Sequence, residues 1–149
     1  MDKIPPHTLR YICFANVYEH NIERKIKEID LFIKTSPPPY KAEDISDLLH
    51  INLDELYSIL EVEYCDSLDM LSFFKLIRTS SSYICRLIQR QCEYYDIKYY
   101  TPEVISYIYE LNIDKVRKAF KESSLLCVES HNLKEIFSYI YVPVVNLNY

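Results

Sequence analysis

No glycine occurs among the 149 residues, and that absence narrows the folds open to the chain more than any other feature. Glycine reaches positive φ without steric cost, and phosphate-cradling loops, dinucleotide-binding turns and type I′ hairpins are all built on it. The common classes of nucleotide-binding enzyme are therefore largely excluded. With 49% hydrophobic and 26% charged residues, the chain is otherwise close to the globular average and can bury a core. One compact unit is the default at this length, since domains commonly run to roughly 100–200 residues.

Nothing in the chain approaches the roughly 20-residue apolar run that a bilayer requires, so no membrane partner is expected. The start Met1-Asp2-Lys3-Ile4-Pro5-Pro6 lacks the apolar stretch of a signal peptide, which points to a soluble, cytoplasmic protein. A net charge of −5 argues against coating nucleic acid by bulk charge, so any such binding must be local. Cys13, Cys65, Cys85, Cys92 and Cys127 form no Cys-x-x-Cys pair and read as reduced, mostly buried thiols. Cys85 and Cys92, seven residues apart, share a helical face as core thiols. His7, His20, His50 and His131 lack metal-ligand spacing; neither a metal nor another cofactor is expected.

From Thr8 to about Lys34, Leu9, Ile12, Cys13 and Val17, then Ile22, Ile26, Ile29 and Ile33, recur at helical steps and predict an amphipathic amino-terminal helix. Its stripe is long enough to expect packing along a linker or pairing with the same helix of a second subunit, a homodimer. Ser36-Pro37-Pro38-Pro39 stops it, because proline lacks the amide proton and pushes its predecessor out of the α region. Beyond lie short helical segments separated by Asn, Ser and Asp caps, an all-α pattern. Tyr141-Val142-Pro143-Val144-Val145 is β-prone but isolated, and reads as a tail packed on the core or on a partner.

The strongest internal feature is a repeat. Residues 40–60 align without gaps on residues 100–120, with identities Tyr40/Tyr100, Glu43/Glu103, Ile45/Ile105, Ser46/Ser106, Asn52/Asn112 and Asp54/Asp114. Apolar character is also matched at Leu48/Ile108, Leu49/Tyr109, Ile51/Leu111, Leu53/Ile113, Leu56/Val116 and Leu60/Phe120. These are the inward positions of two short helices joined by a tight turn. Asn52 and Asn112 stand where the second helix begins and can accept from its orphan amides, while Pro102 suits a first-turn position.

Two such units with a helical linker between them resemble the AraC-type DNA-binding domain, in which two helix-turn-helix units are joined by a long helix. Ile45-Ser46-x-x-Leu49-His50-Ile51-Asn52, with Leu56 and Leu60, carries the likeness in the first unit. Ile105-Ser106 through Phe120-Lys121 carries it in the second, where Phe120-Lys121 is similar to the family's closing Phe-Lys. The resemblance implies a linker helix over Asp66 to Glu93, broken or bent at Thr79-Ser80-Ser81-Ser82, and a closing helix with Leu133, Ile136, Phe137 and Ile140. The family's turns normally carry glycine; His50 and Glu110 stand there in this chain and must adopt positive φ at a cost or avoid it. The organisation is then an amino-terminal helix at 1–36, a tandem helix-turn-helix domain at 40–140 with units 40–62 and 100–122, and a tail at 141–149.

Charge separates the two units. Between Asn112 and Glu122 stand Lys115, Arg117, Lys118 and Lys121 against Asp114 and Glu122, four cations and two anions. Between Asn52 and Val62 stand Asp54, Glu55 and Glu61 with no cation, so phosphates repel the first unit. The second unit is the candidate DNA reader, with Asn112, Lys115, Arg117, Lys118 and Lys121 as its contacts. Lys75, Arg78, Arg86, Arg90 and Lys98 are read as solvating the linker. Two functions follow: a DNA-binding transcription regulator using the second unit, or an adaptor or antagonist that binds a protein partner through Asp54, Glu55 and Glu61. No catalytic constellation is present, so an enzyme is not expected; Glu43-Asp44 suits the first turn of a helix.

Overall fold

The computed structural model describes residues 10–144. In chain order, strand β1 (Tyr11–Cys13) leads into helix α1 (Phe14–Val17), a π-helical turn (Tyr18–Glu23) and helix α2 (Arg24–Thr35). Helices α3 (Ala42–Leu49) and α4 (Leu53–Val62) follow, then α5 (Met70–Thr79) and α6 (Tyr83–Glu93). Helices α7 (Pro102–Tyr109) and α8 (Ile113–Ser123), a 3-10 turn (Ser130–Asn132), α9 (Leu133–Phe137) and strand β2 (Tyr141–Pro143) complete the order. The fold is all-α, carrying one small antiparallel ribbon of β1 and β2 among the described residues. Two compact units divide the chain: residues 23–95 form one, and the described residues to 22 with those from 96 onward form the other.

Each compact unit contains one copy of the repeat, and the copies match bond for bond at the turn. His50 and Glu110 both adopt the left-handed conformation, at φ 57° and 54°. Ile51 N donates to Ser46 O and Leu111 N to Ser106 O, each at 3.1 Å. The hydroxyls of Ser46 and Ser106 donate to the carbonyls of Ile51 and Leu111. Asn52 Oδ1 accepts from Glu55 N at 2.8 Å and Asn112 Oδ1 from Lys115 N at 3.1 Å, each cap worth about 1 kcal/mol. A left-handed non-glycine residue costs roughly 1–2 kcal/mol. The turn offsets that by burying Leu49 and Ile51 in one copy and Tyr109 and Leu111 in the other, at about 1.5–3 kcal/mol per large side chain.

The structural repeat is longer than the sequence match. Tyr40 N donates to Leu68 O at 2.8 Å, and Tyr100 N to Val128 O at 2.7 Å. Tyr64 and Ser124, again sixty residues apart, are the other left-handed pair, at φ 56° and 57°. Asp69 and Glu129 then cap the next helical segment, and Phe73, Leu76 and Ile77 occupy the buried places of Leu133, Ile136 and Phe137. Each copy is thus a three-helix element over residues 40–80 and 100–140.

In the 23–95 unit, Ile45, Leu49, Leu56, Phe73, Leu76 and Ile84 form the buried core with Ile29 of α2. The other unit closes on an aromatic cluster in which Phe14, Tyr18 and Tyr109 surround Phe137, with ring centroids 4.9–5.0 Å from it. Ribbon pairing Ile12↔Val142 and the bond from Phe14 N to Ile140 O fasten residues 11–14 onto that core.

Four sequence expectations are corrected. The single helix from Thr8 to Lys34 is instead a strand at Tyr11–Cys13, a helix from Phe14, a π turn and α2; Thr8 and Leu9 lie outside the described residues. The π turn absorbs the five-residue step from Val17 to Ile22, both buried, which an α period cannot place on one face. Second, the segment at Tyr141 is not isolated, because Tyr141–Pro143 pairs with β1. Third, the linker starts later than expected, residues 66–69 preceding α5 rather than joining it, whereas the break is where the sequence puts it, with α5 ending at Thr79 and Ser82 capping α6. Of the cysteines only Cys85 is buried, Cys92 and Cys127 being exposed, because α6 runs past its core contacts before Cys92.

Candidate nucleic-acid interface

Helix α8 is oriented by two apolar anchors, Val116 and Ala119, both fully buried. Arg117 and Lys118, which lie between the two anchors in sequence, and Lys121 fall on the opposite face and are exposed, as the 3.6-residue period requires. Arg117 Nη2 stands 3.2 Å from Glu103 Oε1 of α7, and its Nη1 is 3.9 Å from Asp114 Oδ1. Lys118 Nζ stands 3.6 Å from Glu122 Oε1. Lys121 makes no ion pair among the described residues. The Glu103 carboxyl is held below its usual pKa by its own backbone amide and by the Arg117 guanidinium.

The remaining two candidate residues have positioning roles. The Asn112 side-chain carbonyl is committed to the amides of Asp114 and Lys115 as the helix cap. Lys115, half-buried, donates through Nζ to Tyr141 O at 2.8 Å and lies 5.5 Å above the Tyr11 ring. Sequence periodicity did not mark Tyr11, Tyr139 and Tyr141 as neighbours of α8. With Lys115, Lys118 and Glu122 they line a cleft of about 390 Å³. The partial signal for it was the β-prone run that begins at Tyr141, which carries one of the three rings.

On α4 the equivalent face has different chemistry. Tyr57 and Glu61 stand where α8 has Arg117 and Lys121, and Tyr57 is 54% exposed. Asp54 and Glu61 are exposed, whereas Glu55 Oε1 accepts from Ser81 N at 2.8 Å and so secures the start of α6. Leu53 and Val62 are also exposed on this helix. In the same compact unit Ile26, Ile33, Phe74 and Ile88 wall a groove of about 690 Å³, with Arg78 and Glu93 at its lining.

Among the described residues no three His, Cys, Asp or Glu side chains converge as metal ligands, and no helix is long and apolar enough to cross a membrane. No protein-family model, no curated protein and no solved structure matches the chain.

Proposed function

We propose that the protein is a DNA-binding transcription regulator of the AraC type that docks on the phosphate backbone through the outer face of α8. The observation that carries this reading is the exposed row Arg117, Lys118 and Lys121 on a helix held by an Asn cap and a left-handed turn. The ion pairs of Arg117 and Lys118 are exposed and therefore weak, so phosphates can replace Glu103 and Glu122. Asn112 and Lys115 support the reading by fixing the helix, with base-edge contact left to side chains further along it.

A second reading is favoured by α4, whose Tyr57 and Leu53 are exposed beside Asp54 and Glu61. Aromatic and apolar groups rimmed by carboxylates suit a basic protein partner, and in that reading the chain is an adaptor. Gel shift against mixed genomic duplexes at low salt separates the two. In the regulator reading Arg117→Ala/Lys118→Ala loses the shift and Asp54→Ser/Glu61→Ser keeps or strengthens it. No shift with the wild-type protein leaves the adaptor reading.

A further inference from the structure

We propose that the cleft between the ribbon and α8 binds one unpaired nucleotide of single-stranded nucleic acid. It shares Lys118 with the exposed row of α8 and otherwise lies beside it, and it rests on the DNA-binding reading only for the assumption that phosphates approach this helix.

The cleft is built by the ribbon register. Tyr11 pairs with Pro143 and Cys13 with Tyr141, so Tyr11 and Tyr141 project from the same ribbon face as diagonal neighbours, within reach of one flat ligand. Both rings are about half exposed, and Tyr139 joins them at 39%. A volume of about 390 Å³ lies in the range of roughly 300–1,000 Å³ for small-ligand sites.

Cations stand beside these rings. Lys115 has three N–H donors, and Tyr141 O takes one, fixing the ammonium over the Tyr11 ring while leaving donors for a phosphate. Lys118 lies one turn position further along α8 and is 76% exposed. Aromatic faces with adjoining lysines are what a stacked base and its phosphate require. A paired base cannot offer its face to a tyrosine, which selects single strands. Glu122 opposes the ligand charge, but its exposed pair with Lys118 is worth at most about five-fold in affinity. A base stacked on an aromatic ring contributes roughly 5- to 150-fold, so stacking prevails.

The test is fluorescence anisotropy at low salt with a labelled ten-nucleotide oligo-dT and, in parallel, a duplex. Tyr141→Ala is expected to weaken oligo-dT binding at least five-fold, Tyr141→Phe to retain it, and duplex affinity to stay within two-fold for both. A photo-crosslinking 5-iodo-uracil oligonucleotide should attach to Tyr11, Tyr139 or Tyr141. Wild-type binding of duplex without oligo-dT overturns the cleft proposal and leaves the α8 reading intact. Binding of oligo-dT without duplex, sensitive to Tyr141→Ala, supports the cleft and removes the α8 reading. Equal oligo-dT affinities for wild type and Tyr141→Ala, or a crosslink confined to other residues, overturn the cleft whatever the duplex does.

Discussion

At His50 and Glu110 the backbone passes through the left-handed region without glycine, at φ 57° and 54°, so each turn holds strain that a single substitution can release. His50→Gly and Glu110→Gly are expected to raise stability by up to about 1 kcal/mol each, the left-handed cost less glycine's extra entropy in the unfolded chain. Urea midpoints measure this, and a loss on either substitution contradicts the strain assignment. Asn52→Ala and Asn112→Ala should each cost about 1 kcal/mol through the lost caps. His50 also titrates. Partial burial, then the charge of Lys25, lowers its pKa below 6.5, against a smaller opposing effect of Glu28. The unfolded chain therefore takes up the proton first, and stability falls as pH drops from about 7 through 6.5 towards the lower folded value. His50→Gly should remove that step from a plot of melting temperature against pH.

Among the elements, the two-helix units are legible in sequence because their information is local. Ser46 and Ser106 bond to carbonyls five residues ahead, and the Asn caps act three residues away. The ribbon is not legible. Tyr11 and Pro143 are paired across most of the chain, and no local period records a strand three residues long. Both α5 and α9 are expected as helix, but their equivalence as the third helix of each copy is hidden, because they keep equivalent buried positions with few shared residues. At this scale α2 makes a distinct prediction. Ile29 is 5% exposed and belongs to the core, so Ile29→Asp should unfold its unit. Ile26 is half-buried on the groove, so Ile26→Asp should preserve melting within a few degrees and shift sedimentation towards monomer. Unchanged sedimentation would remove the amino-terminal helix as a pairing surface.

For the whole molecule, a net charge of −5 opposes nucleic acid everywhere except where cations gather, and that makes local charge decisive. Sequence alone indicates which helix carries the cations but not which of them are spent internally: Lys115 turns to the ribbon, while Arg117, Lys118 and Lys121 face outward. The same limit applies to Glu55, read from sequence as a partner contact and used in the fold on Ser81. The most direct measurement of DNA docking is therefore the salt dependence of duplex affinity for the wild-type protein and for Lys118→Ala/Lys121→Ala. Loss of two phosphate contacts should flatten the slope of log K against log salt by about two units while the far-ultraviolet spectrum stays unchanged. Equal slopes for the two proteins, or no duplex binding by the wild type at low salt, would contradict docking through α8.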